Sequence, residues 1–459
     1  MANVNTDQTA IDAFLSRAVE NVYPTPEALG GLLKSGKRIT AYLGVDPSGP
    51  SLHIGHAIEM RKLAELQKLG HRCILLIGDF TAMIGDPTDK TAARVKLTRE
   101  QVLENCKNYR EQASKILDFG GDNPVELKFN HDWLGKMTFA EVVELASHFT
   151  VQQMLERDMF RRRMSWRSTC PKCGNENYMA ADTQETSTDE KGNHILVSTY
   201  DEERLWKCKK CHYEYSPESA GEVHSPRPVY LHEFLYPLMQ GYDSVAMDVD
   251  LEIGGNDQTF NMLAGRTLMR EMKGKEKFVL TCKLLTDPTG KKMGKSEGNM
   301  ITLQDAPEDM YGKVMSWTDG MIMPGFVLCT DVTPDEIEGM RSAMEAGENP
   351  MIFKRRLAKE VVRAFVSDEA ADKAEKYFTT VHQKHEAPEQ VPELRVAAGK
   401  MKVVDALFES GLVPSKSEAR RQIEQGAVKV DDVIVDDIEA EVAAGSVIQK
   451  GKRFFVKLV

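Results

Sequence analysis

Lys37 to Ile77 reads KRITAYLGVDPSGPSLHIGHAIEMRKLAELQKLGHRCILLI. Its opening, Lys37–Val45, is rich in β-branched and aromatic residues and predicts a strand. Asp46 to Ser51 carry the Pro, Gly and Ser of a loop. From about Gly55 to Leu69 the pattern is helical, and Gly70 stops it. Cys73–Ile77 is an apolar run short enough for a buried strand. Strand, loop, helix and strand in this order form a βαβ unit, so the fold class is α/β, a parallel sheet covered by helices. In such sheets ligands gather at the carboxyl ends of the strands, which puts Tyr42 to His56 beside the expected site. No GxGxxG occurs at the first turn, so the usual dinucleotide fingerprint is absent.

Working outward, 459 residues exceed one compact domain, which typically holds roughly 100–200 residues. With 59 Lys+Arg against 70 Asp+Glu the net charge is −11, which excludes a uniformly basic nucleic-acid coat and leaves room for a local basic patch. No apolar run approaches the roughly 18–20 residues of a membrane span. Met1 to Leu15 has neither a basic n-region nor an apolar h-region, so no signal peptide is expected. Cys73, Cys106, Cys282 and Cys329 stand singly, as in a reducing compartment, and cytoplasmic location is expected.

Phe139–Met164 is helical in pattern. Trp166 to Ser225, polar and bounded by two CxxC pairs, interrupts it as an inserted module. Thr333-Pro-Asp-Glu336 is a capping box and Asn349-Pro350 another helix start. His385 to Leu394 reads as a linker, followed by a unit that is helical first and then strand-like over Val428–Val435 and Arg453–Val459. The expected domains are 1–330, with 166–225 inserted in it, then 331–384 and 395–459.

His53-Ile54-Gly55-His56 sits where loop becomes helix. Two imidazoles there would face an anion held by free backbone N–H groups and the positive end of the helix dipole. Gly55 lets a nucleotide lie against the backbone. Far downstream, Lys291-Lys292-Met293-Gly294-Lys295-Ser296-Glu297-Gly298-Asn299 puts three lysines in a Gly-bearing loop. Alone it reads as a solvated basic loop. Together the two suit a reaction that builds charge on a polyphosphate.

HIGH followed by KMGKS resembles the HIGH and KMSKS signatures of class I aminoacyl-tRNA synthetases, with Gly294 in place of a serine. Tyr42–Ser48, Ile84–Pro87, Tyr236–Asp243 and Ile253–Gln258 are similar, in order, to stretches of tyrosyl-tRNA synthetases. The tryptophanyl enzymes share the catalytic fold, but Tyr42, Asp243 and the C-terminal unit argue against them. The resemblance implies a Rossmann-like catalytic domain. It would activate tyrosine with ATP to tyrosyl-adenylate and pyrophosphate, then transfer tyrosine to the 3′-terminal adenosine of tRNA(Tyr). His53, His56, Lys292 and Lys295 would serve catalysis at the phosphates. Tyr42 and Asp243 would contact the phenol of L-tyrosine, Asp86, Tyr236 and Gln240 its α-amino group, and Gln258 the carboxylate and ribose. Asp46, Ser48, Gly55 and Asp257, with Lys292 and Lys295, would bind ATP. Magnesium would accompany ATP, and a homodimer is implied.

Cys170-Pro-Lys-Cys173 and Cys208-Lys-Lys-Cys211 form two knuckles, the ligand set of a tetrahedral structural zinc. Redox dithiol and iron–sulfur readings are weaker alternatives. Asp189–His194 looks like a hairpin tip, as in a zinc ribbon. Lys172, Lys207, Lys209 and Lys210 suit either an RNA contact or a solvated knob. In the last unit, Ser415–Ile423 followed by Gly426–Val430 resembles the S-four-type RNA-binding module, which implies phosphate contacts from Lys416, Arg420 and Arg421. Lys354, Arg355 and Arg356 form a candidate contact strip in the helical segment, the alternative being a salt-laced surface.

Overall fold

The computed structural model describes residues 3–86, 97–179, 183–188, 194–199, 206–216, 219–220, 223–224, 229–287, 300–384, 392–396, 399–451 and 454–459. The chain divides into two compact units, Met1–Leu285 and Thr286–Val459. Among the described residues no helix is long and apolar enough to cross a membrane.

The first unit is built on β1 (Val19–Tyr23), β2 (Thr40–Val45), β3 (Arg72–Ile77), β4 (Glu126–Phe129), β5 (Leu251–Gly255) and β6 (Phe278–Cys282). They lie in the order β1-β6-β5-β2-β3-β4. All neighbours are parallel except β1, which runs antiparallel along β6. The βαβ unit is therefore present: α1 (Ile54–Lys68) carries the chain from β2 to its parallel neighbour β3. Nearly all of β3 is buried, which is why it reads as a continuous apolar run. Gly70 ends α1 at φ +86°, and a Cβ there would meet the Asn3 carbonyl oxygen at 2.3 Å. From β2 the chain moves outward through β3 to β4, then returns to lay β5 on the other side of β2. The sheet's switch point thus lies between β2 and β5, where Tyr42 and Glu252 stand opposite each other in register.

The helical stretch before the insert is three short helices, Phe139–Ser147, Val151–Leu155 and α2 (Asp158–Met164), the first two opened by capping boxes at Thr138 and Thr150. Among the described residues of the insert the paired elements are strands: Trp166–Thr169 pairs with Glu176–Met179 and Val223–His224, and Trp206–Lys207 pairs with Glu214–Tyr215. Thr183–Thr188 and His194–Thr199 pair antiparallel, as a hairpin requires, and residues 189–193 lie outside the described residues. After it, α3 (Leu231–Met247) packs on α4 (Thr259–Lys273). Their crossing is tight because a Cβ on Gly241 would already meet the Gly265 nitrogen at 3.0 Å.

In the second unit, Thr333 and Glu336 form the expected capping box of α5 (Pro334–Glu345), and Asn349 caps α6 (Pro350–Phe365). The candidate strip on α6 is committed to internal contacts. Lys354 is buried and pairs with Asp319 at 2.6 Å, Arg355 donates to Thr379 (2.7 Å), and Arg356 pairs with Glu336 (2.6 Å). Near the C-terminus, Val403–Glu409 and α7 (Lys416–Glu424) accompany a five-stranded sheet around a core that includes Leu407, Ile423, Val428 and Ile448. Glu393–Leu394, read above as the end of a linker, is a short strand parallel to Phe454–Leu458, whose edge backbone groups would otherwise lack partners. Residues 385–391 lie outside the described residues.

Candidate active site

At the carboxyl end of β2, His53 caps α1. Its Nδ1 accepts from the backbone N–H of Gly55 (3.1 Å) and of His56 (3.4 Å), and His56 Nδ1 accepts from the His53 N–H (3.2 Å). The rings stack with centroids 3.8 Å apart. This revises one expectation: N–H groups at the helix start are taken by His53 rather than left for an anion. Because each Nδ1 is an acceptor, each neutral ring carries its hydrogen on Nε2, and the imidazoles become the donors. Gly55 is needed under this stack, since a Cβ would come within 3.0 Å of the His53 ring. Ser48 is exposed on the same loop. Asp257 lies in the one-turn helix Asn256–Gln258 that leaves β5. Lys292 and Lys295, with all of 288–299, lie outside the described residues.

Deeper in the switch point, β2 and α3 supply the expected phenol-contacting residues. Tyr42 is fully buried, its hydroxyl 3.0 Å from Ser244 Oγ. Asp243, also buried, accepts from Trp133 Nε1 (2.7 Å) and Asn130 Nδ2 (3.3 Å). Burial pushes the Asp243 carboxyl well above the usual carboxylate range, while the Trp133 and Asn130 hydrogen bonds oppose that rise. Burial likewise raises the Tyr42 hydroxyl well above its ordinary value, helped by the charges of Glu252 and Asp243. Both groups are costly to strip of partners.

Toward the other end, Tyr236 donates to Asp46 Oδ2 (2.8 Å), and Thr81 Oγ1 donates to Asp46 Oδ1 (2.7 Å). Gly78 must be glycine for this, because a Cβ would sit 1.9 Å from Asp46 Oδ1. Asp86 accepts from Gln258 Nε2 (2.7 Å) and Arg157 Nη2 (3.0 Å). Gln240 links Glu252 to Asn261. The fold therefore gathers two hydrogen-bonded sets, Asp46 with Tyr236 and Asp86 with Gln258 and Gln240, around the switch point that also holds Tyr42 and Asp243. Sequence reading missed Asn130, Trp133 and Ser244, which touch the expected phenol residues, and Glu252, which Gln240 meets. The one available signal was Asn130-His-Asp-Trp133, polar and aromatic residues that follow directly on β4. An open groove of about 830 Å³, lined by Lys107, Arg110 and Phe119 among others, includes none of these residues.

In the insert the four cysteine sulfurs lie within 4.8 Å of one another, with Cys170–Cys211 at 3.7 Å and Cys173–Cys208 at 3.6 Å. Zinc–sulfur bonds of about 2.3 Å in a tetrahedron put sulfurs about 3.8 Å apart, so the set fits zinc. The knuckles are built alike. In each, the first cysteine's N–H reaches the carbonyl five residues on, and its own carbonyl accepts from the residue four on. That residue, Gly174 or His212, has positive φ. Tyr215 packs beside the sulfurs, its hydroxyl bonded to Ser168 (2.7 Å) and Asn177 (2.9 Å). In the C-terminal unit, Arg420 and Arg421 are exposed on α7, Arg421 paired with Glu418 and Lys416 with Asp405 (both 2.7 Å).

Residues 34–172 and 196–383 match the family described as "tRNA synthetases class I (W and Y)", and the gap between them falls in the insert. Residues 383–457 match the "Tyrosine--tRNA ligase SYY-like C-terminal domain". The chain is 39% identical over 451 residues to a tyrosine–tRNA ligase of Moorella thermoacetica, covering 97% of this chain and 94% of that one. It is 40% identical over 448 residues to that of Thermotoga maritima, covering 97% and 96%. The tyrosyl-tRNA synthetase of Archaeoglobus fulgidus, solved with L-tyrosine, shares the fold with a TM-score of 0.54 at 20% identity, over 80% of this chain and 99% of that one.

Proposed function

The chain belongs to the class I tyrosine–tRNA ligases, enzymes that activate tyrosine with ATP and charge tRNA, and from that premise we propose how its site works. Tyrosine enters the switch point phenol first. Asp243 accepts the phenol hydrogen and Tyr42 serves the phenol oxygen, while Asp86, Tyr236 and Gln240 hold the α-amino group. Gln258 lies toward the carboxylate.

The carboxylate oxygen then attacks the α-phosphorus of ATP. A new P–O bond forms, the bond to the β-phosphate's bridging oxygen breaks, and pyrophosphate leaves with its electron pair. No protein nucleophile is required, so positioning and charge stabilisation carry the step. His53 and His56 offer Nε2–H donors to the phosphates, Asp46, Ser48, Gly55 and Asp257 frame the nucleotide, and Lys292 and Lys295 supply positive charge. Magnesium arrives with ATP. In the second step a ribose hydroxyl of the terminal adenosine of tRNA(Tyr) takes the tyrosyl group and AMP departs.

The observation that carries this reading is the buried Asp243 carboxylate, with one donor already on each oxygen and Tyr42 nearby. Phenylalanine would leave that carboxylate desolvated without its third donor. ATP–pyrophosphate exchange tests it: tyrosine should support exchange, with phenylalanine and tryptophan nearly inert. Comparable exchange with tryptophan would reject the assignment.

Cys170, Cys173, Cys208 and Cys211 hold a structural zinc in this reading. Four thiolates leave no open coordination position, so the metal supplies folding energy to the insert. Lys416, Arg420 and Arg421 meet tRNA phosphates. The working division is a catalytic domain 1–330 with insert 166–225, a helical domain 331–384 and an RNA-binding domain 395–459, in a cytoplasmic homodimer.

A further inference from the structure

Beneath the proposed phenol pocket lies an ion pair with no role in the reading above. Lys277, one residue before β6, is 0% exposed, and Glu252 on β5 is 2% exposed. Lys277 Nζ donates to Glu252 Oε2, to Ser244 Oγ (2.8 Å) and to the Met262 carbonyl (3.1 Å). An ammonium has three hydrogens, so its donors are all used. Room for it depends on a glycine: a Cβ at Gly265 would come within 2.5 Å of Lys277 Nζ and 3.0 Å of Ser244 Oγ. Burying two charges is expensive, and apolar residues of similar volume often stabilise a fold as well or better. A role other than stability is therefore the better account of this pair.

The pair imposes direction on two chains of hydrogen bonds. On one side Ser244 Oγ accepts from the ammonium and lies 3.0 Å from the Tyr42 hydroxyl. With Ser244's own hydrogen turned to Tyr42, the Tyr42 hydrogen points away from Ser244, toward Glu252 or the phenol oxygen of the substrate. Glu252 also accepts from the Tyr42 hydroxyl, and the donors already on its oxygens, Lys277 on one and Gln240 Nε2 (3.1 Å) on the other, weaken its hold on that hydrogen when a phenol is bound.

On the other side a carboxylate can only accept, so Gln240 must point its amide nitrogen at Glu252 and keep Oε1 as an acceptor. Gln240 Oε1 takes Asn261 Nδ2 (2.8 Å), which also donates to Gln258 Oε1 (3.0 Å). Gln258 is then left to donate from Nε2 to Asp86 (2.7 Å). The amide orientations along this path satisfy a carboxylate at each end, Glu252 at its start and Asp86 at its finish.

We propose that the Lys277–Glu252 pair is a positioning element for tyrosine, holding Tyr42 as a donor to the phenol and Gln240 as an acceptor for the α-amino group. This rests on the pocket assigned above.

The test uses the full-length enzyme, Ser244→Ala, and the charge-neutral double variant Lys277→Met with Glu252→Gln, which leaves no unpaired buried charge. Exchange is measured against tyrosine, phenylalanine and ATP, with circular dichroism to establish folding. In Ser244→Ala the tyrosine-to-phenylalanine ratio of kcat/KM should fall about tenfold, the size of one neutral hydrogen bond. In the double variant KM for tyrosine should rise about tenfold or more, while KM for ATP and kcat change by less than about threefold. A folded Ser244→Ala with the wild-type ratio would overturn the Tyr42 arm, and a folded double variant with wild-type KM for tyrosine the Gln240 arm. Should the double variant fail to fold, Ser244→Ala decides alone. A wild type that does not select tyrosine overturns the pocket itself, and the positioning role with it.

Discussion

Asp243 accepts from Trp133 and Asn130 while almost wholly buried, so its removal does more than delete one contact. Asp243→Ala leaves both donors unpaired, at about 1–3 kcal/mol for each, and deprives the phenol of its acceptor. Tyrosine exchange should fall at least about a hundredfold in a protein that still folds, and phenylalanine should not become a substrate. A second buried group makes a prediction about pH. His71 is 0% exposed, Nδ1 accepts from the Ile39 N–H (3.4 Å), and Nε2 has no partner among the described residues. Burial, aided by the Arg38 charge, lowers its pKa from 6.5 to about 4. Between those values the unfolded chain binds a proton that the folded chain refuses. Its contribution to stability is therefore full above about pH 6.5 and is lost as pH falls toward about 4. Urea midpoints at pH 7.5 and 4.5, compared with His71→Asn, should show about 2 kcal/mol of this dependence.

The start of α1 is organised by its own side chains: His53 and His56 accept backbone N–H groups at Nδ1 and so carry their hydrogens on Nε2. His56→Ala should slow adenylate formation, read by pre-steady-state methods, while tyrosine affinity by equilibrium dialysis stays near wild type. Lost tyrosine affinity with an unchanged chemical rate would assign the ring to the wrong ligand. The insert makes a different prediction. Its apolar side chains are few for sixty residues, so the metal should be its staple. Wild-type protein should contain about one zinc per chain and Cys170→Ser much less, with the insert becoming sensitive to protease. Exchange should survive that substitution. The route by which it could fail is short, because α2 leads straight into the insert while Arg157, at its start, binds Asp86 and Arg163, near its end, binds Glu233 on α3. Loss of exchange in Arg163→Ala with the insert intact would show that α2 transmits the effect.

The C-terminal fold has a core drawn from its own residues, among them Leu407, Ile423, Val428 and Ile448. Truncation after about His385 should therefore leave exchange intact and greatly weaken tRNA charging. Arg420→Ala with Arg421→Ala should reduce the slope of log affinity against log salt by about one to two. The Arg421–Glu418 pair is no obstacle to such contacts, since exposed pairs of this kind are worth little. Normal charging by the truncated enzyme would remove this domain from aminoacylation.

The βαβ unit, the histidine motif and the cysteine knuckles were legible in the chain because their information is local. Apolar periodicity, a cap beside a helix start and the interval between two cysteines all act within a few residues. The knuckle turns even appear as Gly174 and His212 directly after the second cysteine of each pair. What pairs with what across the sheet was not legible. Trp133 and Asp243 are 110 residues apart, Tyr42 and Ser244 are 202 apart, and nothing local marks them as partners. A lysine before a strand reads as a solvated residue, since lysine is almost never fully buried without a partner. Lys277 is buried because Glu252, Ser244 and the Met262 carbonyl converge on one point left open by Gly265, and the parallel register of β2, β5 and β6 brings those groups together.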